Sequence, residues 1–281
     1  MKNSLFLFLN FISGIALGQA PSYKDVPYLS TTHPEFDKER HILDIYLPDH
    51  LTQKTEVVIF VHGGKWKVGH KNTYRFLGKK LAKHNIVTVV INYRLSPVAQ
   101  NYATMAMDCA NAVKWVYEHI EEYGGDKNKI YLFGHSSGGH LCALIASNNK
   151  FIDTTGITNP IKGCILFDPF GLNIDRYLKA APKKDEWMYD IFTKDPILWK
   201  DAAPVNFIKT DTLRYLIYVG GNSPERIQQD AELFYEAAAS KKKEIRLTTL
   251  YNAGHLTILF QLYNTRHRLY KEIVAFLHNE L

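Results

Sequence analysis

The sequence contains few cysteines. Three are present in 281 residues, namely Cys109, Cys142 and Cys164. They form neither an even set nor the spacing of metal ligands, which excludes a disulfide framework and a cysteine-based metal centre. Each lies among apolar neighbours, so we predict buried free thiols. A single disulfide is the alternative in an oxidising compartment, and the sequence does not define its pair.

Charge is also scarce, at 22% of residues, with 34 Lys and Arg against 28 Asp and Glu. This content, with 17 Gly and 11 Pro, excludes a disordered tail, a coiled coil and a collagen-like repeat. The surplus of six positive charges is spread over the whole chain, whereas nucleic-acid binding needs the excess concentrated on one face. We therefore expect a globular protein with one large core and no nucleic-acid partner.

The apolar run at the N-terminus is too short for a membrane anchor. Residues 5–17 supply about 13 mostly apolar positions, whereas a membrane-spanning helix needs roughly 20. Lys2 precedes this run, and the small residues Gly18 and Ala20 follow it, which is the layout of a cleaved secretory signal peptide. We predict a signal peptide over residues 1–20 and a secreted or periplasmic protein with no stable membrane anchor. No repeat or linker divides the remainder, so residues 21–281 are predicted to form one domain.

From about His33 onward, β-rich runs alternate with amphipathic helical runs. This alternation predicts an α/β fold in which a mostly parallel sheet carries helices on both faces. The run 41–47 alternates between apolar and polar residues, which predicts a strand with one exposed face. Further strands are predicted at 56–61, 86–93, 129–133, 161–167, 213–219 and 244–250. Helices are predicted at 73–84, 102–123, 140–147, 224–240 and the C-terminus.

The stretch between the strands 161–167 and 213–219 is too long for a simple connection and is rich in Tyr, Trp and Phe. We interpret residues 171–207 as a small cap insertion that faces the substrate. The alternative is a crossover helix with aromatic residues on its surface.

A Gly-His-Ser-Ser-Gly motif at residues 134–138 lies between a predicted strand and a predicted helix. A G-x-S-x-G motif in this context is a nucleophile elbow, in which the two glycines allow a tight turn that lifts the Ser136 hydroxyl above the sheet. The helix that follows directs its free N–H groups and its positive dipole end toward any oxyanion formed there. We therefore predict Ser136 as a nucleophile and the Ser137 N–H as an oxyanion donor.

A second glycine motif, His62-Gly63-Gly64, ends an earlier strand about seventy residues before Ser136. With LDIYLP at 43–48, NYRLSP at 92–97 and a Gly-His pair near the C-terminus, the motifs resemble the α/β-hydrolase superfamily. The resemblance is to its esterase and lipase group, which includes carboxylesterases, feruloyl and acetyl esterases and kynurenine formamidase-like enzymes. It covers nearly the whole mature chain and implies an α/β-hydrolase fold, with the N–H groups of Gly63 and Gly64 completing the oxyanion hole.

The fold's order of nucleophile, acid and histidine points to His255, just after the last predicted strand, as the base. The acid departs from the pattern, because Asn222 stands where relatives have Asp, and an amide cannot stabilise an imidazolium. Two substitutes are Asp168, which closes the strand 161–167, and Glu225, at the start of a helix. We favour Asp168, because an ionised Asp closing an apolar strand needs a charged or hydrogen-bonded partner.

The predicted function is hydrolysis of a small carboxylic ester through an acyl-enzyme, with Ser136, His255 and Asp168 as the catalytic triad. Neither a metal nor an organic cofactor is expected. One alternative is amide hydrolysis, as in a formamidase or small peptidase. The other, suggested by Asn222, is a binding protein that has lost catalysis.

Overall fold

The computed structural model describes residues 22–180, 183–209, 212–263 and 268–281. The predicted signal peptide, residues 1–20, lies outside these ranges. In the described part of the chain, the strands are β1 (Tyr23–Pro27), β2 (Ile42–Tyr46), β3 (Thr55–Val61), β4 (Val87–Ile91), β5 (Gly125–His135), β6 (Ile161–Phe167), β7 (Arg214–Gly220) and β8 (Ile245–Leu250). They form one eight-stranded sheet in the order β1-β2-β4-β3-β5-β6-β7-β8. The pairs β1/β2 and β2/β4 are antiparallel and the others are parallel.

Helices cover both faces of this sheet. The α-helices in the described ranges are α1 (Arg75–Ala82), α2 (Tyr102–His119), α3 (Ser137–Ser147), α4 (Lys150–Thr154), α5 (Ile174–Lys179), α6 (Tyr189–Phe192), α7 (Pro196–Ala202), α8 (Glu225–Ser240) and α9 (Arg268–Leu277). Apolar residues of α2, α3 and α8 form one core with Val57 and Ile59 of β3. Apolar residues of α1 and α9 form a second core with Val58 and Phe60 from the opposite face of the same strand. The predicted α/β-hydrolase fold is thereby confirmed.

The prediction that strand 41–47 has one exposed face is wrong. Every residue of β2 is buried, including Asp44. Its carboxylate accepts a hydrogen bond of 2.5 Å from Nζ of Lys71, which is itself fully buried. Helix α1 covers the same face, where a Cβ on Gly78 would lie 2.4 Å from the Tyr46 ring. Asp44 is therefore buried together with its ion-pair partner Lys71, which lies 27 residues away in the sequence. An alternation of apolar and polar residues does not show such a partner.

Between β6 and β7 the chain folds into several short helices instead of one crossover helix. These are α5, α6 and α7 with 3₁₀ helices at Lys183–Met188 and Pro204–Phe207. They pack beside the start of α3, where Nε2 of His140 bonds the carbonyl of Ala202 at 2.8 Å. The ring of Phe192 lies 4.9 Å from that of Trp66, measured between centroids. The described residues of this segment thus contact the parts of the chain that follow β3 and β5.

The three cysteines are free and buried, as the sequence suggested. Among the described residues, no helix combines the length and the hydropathy needed to span a membrane.

Candidate active site

Ser136 lies in a strained turn between β5 and α3. Its backbone has φ 55° and ψ −122°, a region that residues with a side chain rarely adopt. Its N–H donates to the carbonyl of Phe167 at 3.0 Å, which ties the turn to the end of β6. The hydroxyl is held at the carboxyl edge of the sheet, where the loops after the parallel strands meet.

The two glycines of the elbow allow the strand and the helix to approach closely. A Cβ on Gly134 would lie 2.5 Å from the carbonyl carbon and oxygen of Gly138. A Cβ on Gly138 would lie 2.1 Å from the carbonyl oxygen of Val61, at the end of β3. Any side chain at either position would displace backbone, so both glycines are required by space.

Ser136, His255 and Asp168 form a continuous chain of hydrogen bonds. Oγ of Ser136 lies 2.9 Å from Nε2 of His255. Nδ1 of the same imidazole lies 3.0 Å from Oδ2 of Asp168. The three side chains come from the loops after β5, β8 and β6, so the sheet brings together residues far apart in sequence.

The Asp168 carboxylate is fully buried and receives several hydrogen bonds. Oδ1 accepts from the backbone N–H of Gly220 at 2.7 Å. Oδ2 accepts from the hydroxyl of Ser223 as well as facing His255. The backbone N–H of Asp168 donates to the backbone carbonyl of Tyr218 at 2.8 Å, which fixes Asp168 at the end of β6. Hydrogen bonds of this kind offset the cost of burying a carboxylate.

The other two candidates for the acid position lie in the loop after β7. Asn222 is exposed, and its backbone N–H donates to the carbonyl of Ala253 at 2.9 Å. Glu225 is the first residue of α8, is exposed, and accepts a hydrogen bond of 2.7 Å from Gln229. In the described part of the chain, neither side chain is hydrogen-bonded to His255, so the structure places Asp168 there instead.

The loop after β3 places Gly63 against the nucleophile. A Cβ on Gly63 would lie 3.1 Å from Cβ of Ser136 and 2.7 Å from the carbonyl oxygen of His135. Gly64 has φ 135° and shapes the turn, since a Cβ there would meet the carbonyl of Val68 at 1.8 Å. Ser137 opens α3, where the first N–H groups of a helix have no partner within the helix. Gly63 and Ser137 thus lie beside Ser136, and Gly64 shapes the turn that follows Gly63.

Three further histidines lie around this site, and all are buried. Burial lowers the pKa of His62, His135 and His140 to about 4, so each is neutral at pH 7. Each ring bonds a backbone carbonyl: His62 that of Gly63, His135 that of His255 and His140 that of Ala202. Each ring thus holds a backbone segment that lies near the site.

Sequence reasoning missed the groups that hold Asp168. Gly220 is the last residue of β7 and Ser223 follows it, and the sequence offered one signal for these donors, the Gly-Gly-Asn-Ser run at 220–223. In that run we interpreted only Asn222, as the place of a missing Asp, and did not predict the two donors. Among the described residues, no group of three or more His, Cys, Asp or Glu side chains is arranged to hold a metal ion.

The sequence is similar to a known family and to several known proteins. Residues 43–237 match the BD-FAE family. An isoprenylcysteine alpha-carbonyl methylesterase of Arabidopsis thaliana is 26% identical over 87% of this chain and 61% of its own length. The kynurenine formamidase of Salmo salar is 25% identical over 88% of this chain and 79% of its own length. The chain spans between 24% and 61% of the length of the plant methylesterases that it matches.

Three solved structures, of two different proteins, share the fold. A truncated carbohydrate esterase from gut microbiota has a TM-score of 0.76 and 19% identity, covering 92% of this chain and 95% of that one. Esterase 2 of Thermogutta terrifontis, solved with butyrate bound, has a TM-score of 0.67 and 23% identity, covering 84% and 87%. The same esterase phosphorylated by paraoxon has a TM-score of 0.67 and 22% identity, covering 83% and 85%. With the family match extending over more than half of its length, the chain belongs to the BD-FAE family of α/β-hydrolase esterases.

Proposed function

We propose that the protein is a serine carboxylesterase that cleaves small esters through an acyl-enzyme. The observation that carries this proposal is the hydrogen-bonded chain from the Ser136 hydroxyl through His255 to the buried Asp168 carboxylate. A serine hydroxyl is a weak nucleophile at neutral pH, and a base within hydrogen-bond distance is what activates it.

In the first half of the reaction, Nε2 of His255 takes the proton as Oγ of Ser136 attacks the ester carbonyl. The carbonyl oxygen becomes negatively charged and accepts hydrogen bonds from the N–H groups of Gly63, Gly64 and Ser137. Each good donor of this kind is worth about 3 to 4 kcal/mol of transition-state stabilisation. His255 then gives its proton to the leaving alcohol as the carbon–oxygen bond breaks, which leaves the acyl group on Ser136.

In the second half, water attacks the acyl-enzyme and His255 again acts as the base. The carboxylic acid leaves and the proton returns to Ser136. The Asp168 carboxylate stabilises the imidazolium in both halves, which an amide at Asn222 could not do. Asp168 thus supports an active enzyme over a hydrolase fold that only binds ligands.

The region beside Ser136 supports a short acyl group. Trp66 is fully buried there, and its ring contacts Phe170, Phe192 and His140 at centroid distances of 4.9 to 5.8 Å. Phe192 belongs to the segment 171–207, which we interpret as the cap, and Trp66 packs against it from the side of the sheet. The butyrate complex of the Thermogutta esterase agrees with a short acyl chain. The sequence of residues 1–20 supports secretion to the periplasm or the medium.

The test is hydrolysis of 4-nitrophenyl acetate by the full chain and by Ser136→Ala. Ser147→Ala is the matched control, because Ser147 is a buried serine of the same helix whose hydroxyl donates to a backbone carbonyl. We expect the wild type and the control to hydrolyse the ester and Ser136→Ala to lose more than about 10³-fold in kcat. An unchanged kcat in Ser136→Ala would overturn the proposal.

Amide hydrolysis is the second candidate, because the kynurenine formamidase relative covers most of this chain. The same elbow and oxyanion donors serve esters and amides alike. Comparing 4-nitrophenyl acetate with 4-nitroacetanilide, and testing a formanilide, separates the two activities. Faster turnover of the formanilide than of the acetate ester would favour the amide candidate.

A further inference from the structure

His135, the residue before the nucleophile, contacts three segments that build the site. Its ring lies 5.1 Å from that of His255, and its Nε2 lies 2.9 Å from the backbone carbonyl oxygen of His255. Its peptide carries Ser136. The position of a Cβ on Gly63 would lie 3.1 Å from its Nδ1, so the ring also borders the loop after β3.

The chemistry of this contact fixes the proton on the His135 ring. The partner of Nε2 is a carbonyl oxygen, which accepts, so Nε2 carries the proton and donates. Burial lowers the pKa of His135 to about 4, which leaves Nδ1 unprotonated at neutral pH. Nδ1 is buried and has no hydrogen-bond partner among the described residues.

The bond from His135 acts on the backbone of His255 itself. The loop is also held on either side of this residue, because Ala253 is buried and its carbonyl accepts from the N–H of Asn222, and the carbonyl of Gly254 accepts from the N–H of Ile258 at 2.9 Å. Leu256, the next residue, is 69% exposed and adds little packing. Asp168 holds the His255 side chain at Nδ1, and His135 holds the backbone carbonyl of the same residue.

We propose that His135 is a positioning residue, which holds the backbone of His255 so that its Nε2 stays within hydrogen-bond distance of the Ser136 hydroxyl. The inference rests on the proposed function and adds to it. With the backbone held by His135 and Nδ1 held by Asp168, the imidazole is fixed at two points. A displacement of the base by about 1 Å costs up to 10²-fold in rate, so this restraint acts on kcat.

The simpler interpretation is that His135 only fills space beneath the elbow. His140 provides the comparison, because it is equally buried, its pKa is lowered to the same value by burial, and its Nε2 bonds a carbonyl at 2.8 Å. That carbonyl belongs to Ala202, not to the loop that carries His255. A role in packing alone predicts similar effects from the two histidines.

The experiment compares His135→Asn with His135→Gln, which differ by one methylene. The Gln amide reaches the position of Nε2 and can donate to His255, whereas the Asn amide reaches only the position of Nδ1. We expect Asn to lower kcat for 4-nitrophenyl acetate by about 10- to 100-fold with KM changed less than about 3-fold. We expect Gln to restore kcat to within about 5-fold of wild type. His140→Asn, the same change at the comparison histidine, should lower the melting temperature comparably and lower kcat less than His135→Asn does.

Equal losses in kcat for Asn and Gln, or no loss in either, would overturn the inference. A double-mutant cycle gives the second readout. In a His255→Ala background, His135→Asn should change the residual rate less than about 2-fold, because the residue it positions is already absent. A further loss of about 10-fold would show that His135 acts elsewhere. If the wild type itself fails to hydrolyse esters, the proposed function fails, and that result is separate from either outcome.

Discussion

The loops after β6 and β7 both lie beside His255, and they contribute different groups. The β6 loop carries a single buried charge, Asp168, whereas the β7 loop is largely exposed and offers Asn222 and Glu225 at its surface. The β7 side nevertheless donates two hydrogen bonds to the carboxylate, one from the N–H of Gly220, the last residue of β7, and one from the hydroxyl of Ser223 in the loop. One strand end therefore supplies the charge, and its neighbour supplies the donors that stabilise it.

This division of roles explains how the site tolerates a neutral residue at Asn222. The imidazole needs one carboxylate at its Nδ1, and neighbouring parallel strands end close enough for either loop to provide it. Replacing the acid after β7 removes the charge only if no other loop supplies one. Asp168 meets that condition in this structure, with its Oδ2 lying 3.0 Å from Nδ1 of His255.

The largest loss of activity is expected from Asp168→Asn, which changes the β6 side of the site. It keeps the shape of the side chain and removes the charge, so the imidazolium loses its partner and the tautomer of His255 changes. We expect kcat for 4-nitrophenyl acetate to fall by about 10³- to 10⁴-fold. Glu225→Gln, which removes a carboxylate from the β7 side, should change kcat less than about 3-fold. Steady-state kinetics of the two variants decides between them, and a larger loss in Glu225→Gln would reassign the acid.

A smaller effect is expected from Ser223→Ala, which removes one donor from the Asp168 carboxylate. Losing a hydrogen bond to a charged group costs about 1.5 to 3 kcal/mol. Part of that cost falls on the transition state, so we expect kcat to decrease by about 3- to 30-fold with little change in KM. Asn222→Asp is the matched control, because its exposed side chain does not touch His255. A loss in Asn222→Asp equal to that in Ser223→Ala would contradict the division between the two loops.

A further effect, on stability and not on catalysis, is expected as the pH changes. The three buried histidines, with pKa values of about 4 when folded, take up protons on unfolding below their unfolded pKa of about 6.5. Their contribution to stability is present above pH 6.5 and is lost as the pH falls toward 4. Asp230 opposes one of them, because burial raises its pKa to about 6 and the folded state holds that proton.

Near pH 5.3, unfolding should therefore take up about two protons, and the free energy of unfolding should fall by roughly 3 kcal/mol per pH unit. Calorimetric unfolding in buffers of different ionisation enthalpy measures the proton number directly. A stability that stays constant or increases as the pH falls from 6.5 to 4.5 would contradict the assignment of neutral, buried histidines.

Much of the fold could be predicted from local patterns. The continuous Val and Ile runs of β3 and β4 are buried on both faces, as a central parallel strand requires. The edge strand β1 was missed, because its five residues are largely exposed and include a proline. The burial of Asp44 in β2 could not be predicted in this way. Asp44 forms an ion pair with the buried Lys71, and no sequence period connects the two residues.

The candidate site also contains residues that the sequence could locate and contacts that it could not. Ser136 and Gly63 belong to motifs whose spacing reflects a local turn, so the sequence was sufficient to locate them. The neighbours of Asp168 depend on the register between β6 and β7, which pairs Phe167 with Tyr218. That pairing brings Ser223 to a carboxylate 55 residues away. The contact between His135 and His255 spans 120 residues and likewise required the structure.

In the proposed mechanism, Ser136 is a nucleophile that His255 and Asp168 activate. Titration with paraoxon tests it most directly, by release of 4-nitrophenol and by the mass of the intact protein and its peptides. In the wild type, we expect one equivalent of 4-nitrophenol and one phosphoryl adduct, located on the peptide that contains Ser136. We expect no adduct in Ser136→Ala and at least about 10²-fold slower labelling in Asp168→Asn. Absence of an adduct in folded wild-type protein, or an adduct that persists in Ser136→Ala, would contradict it.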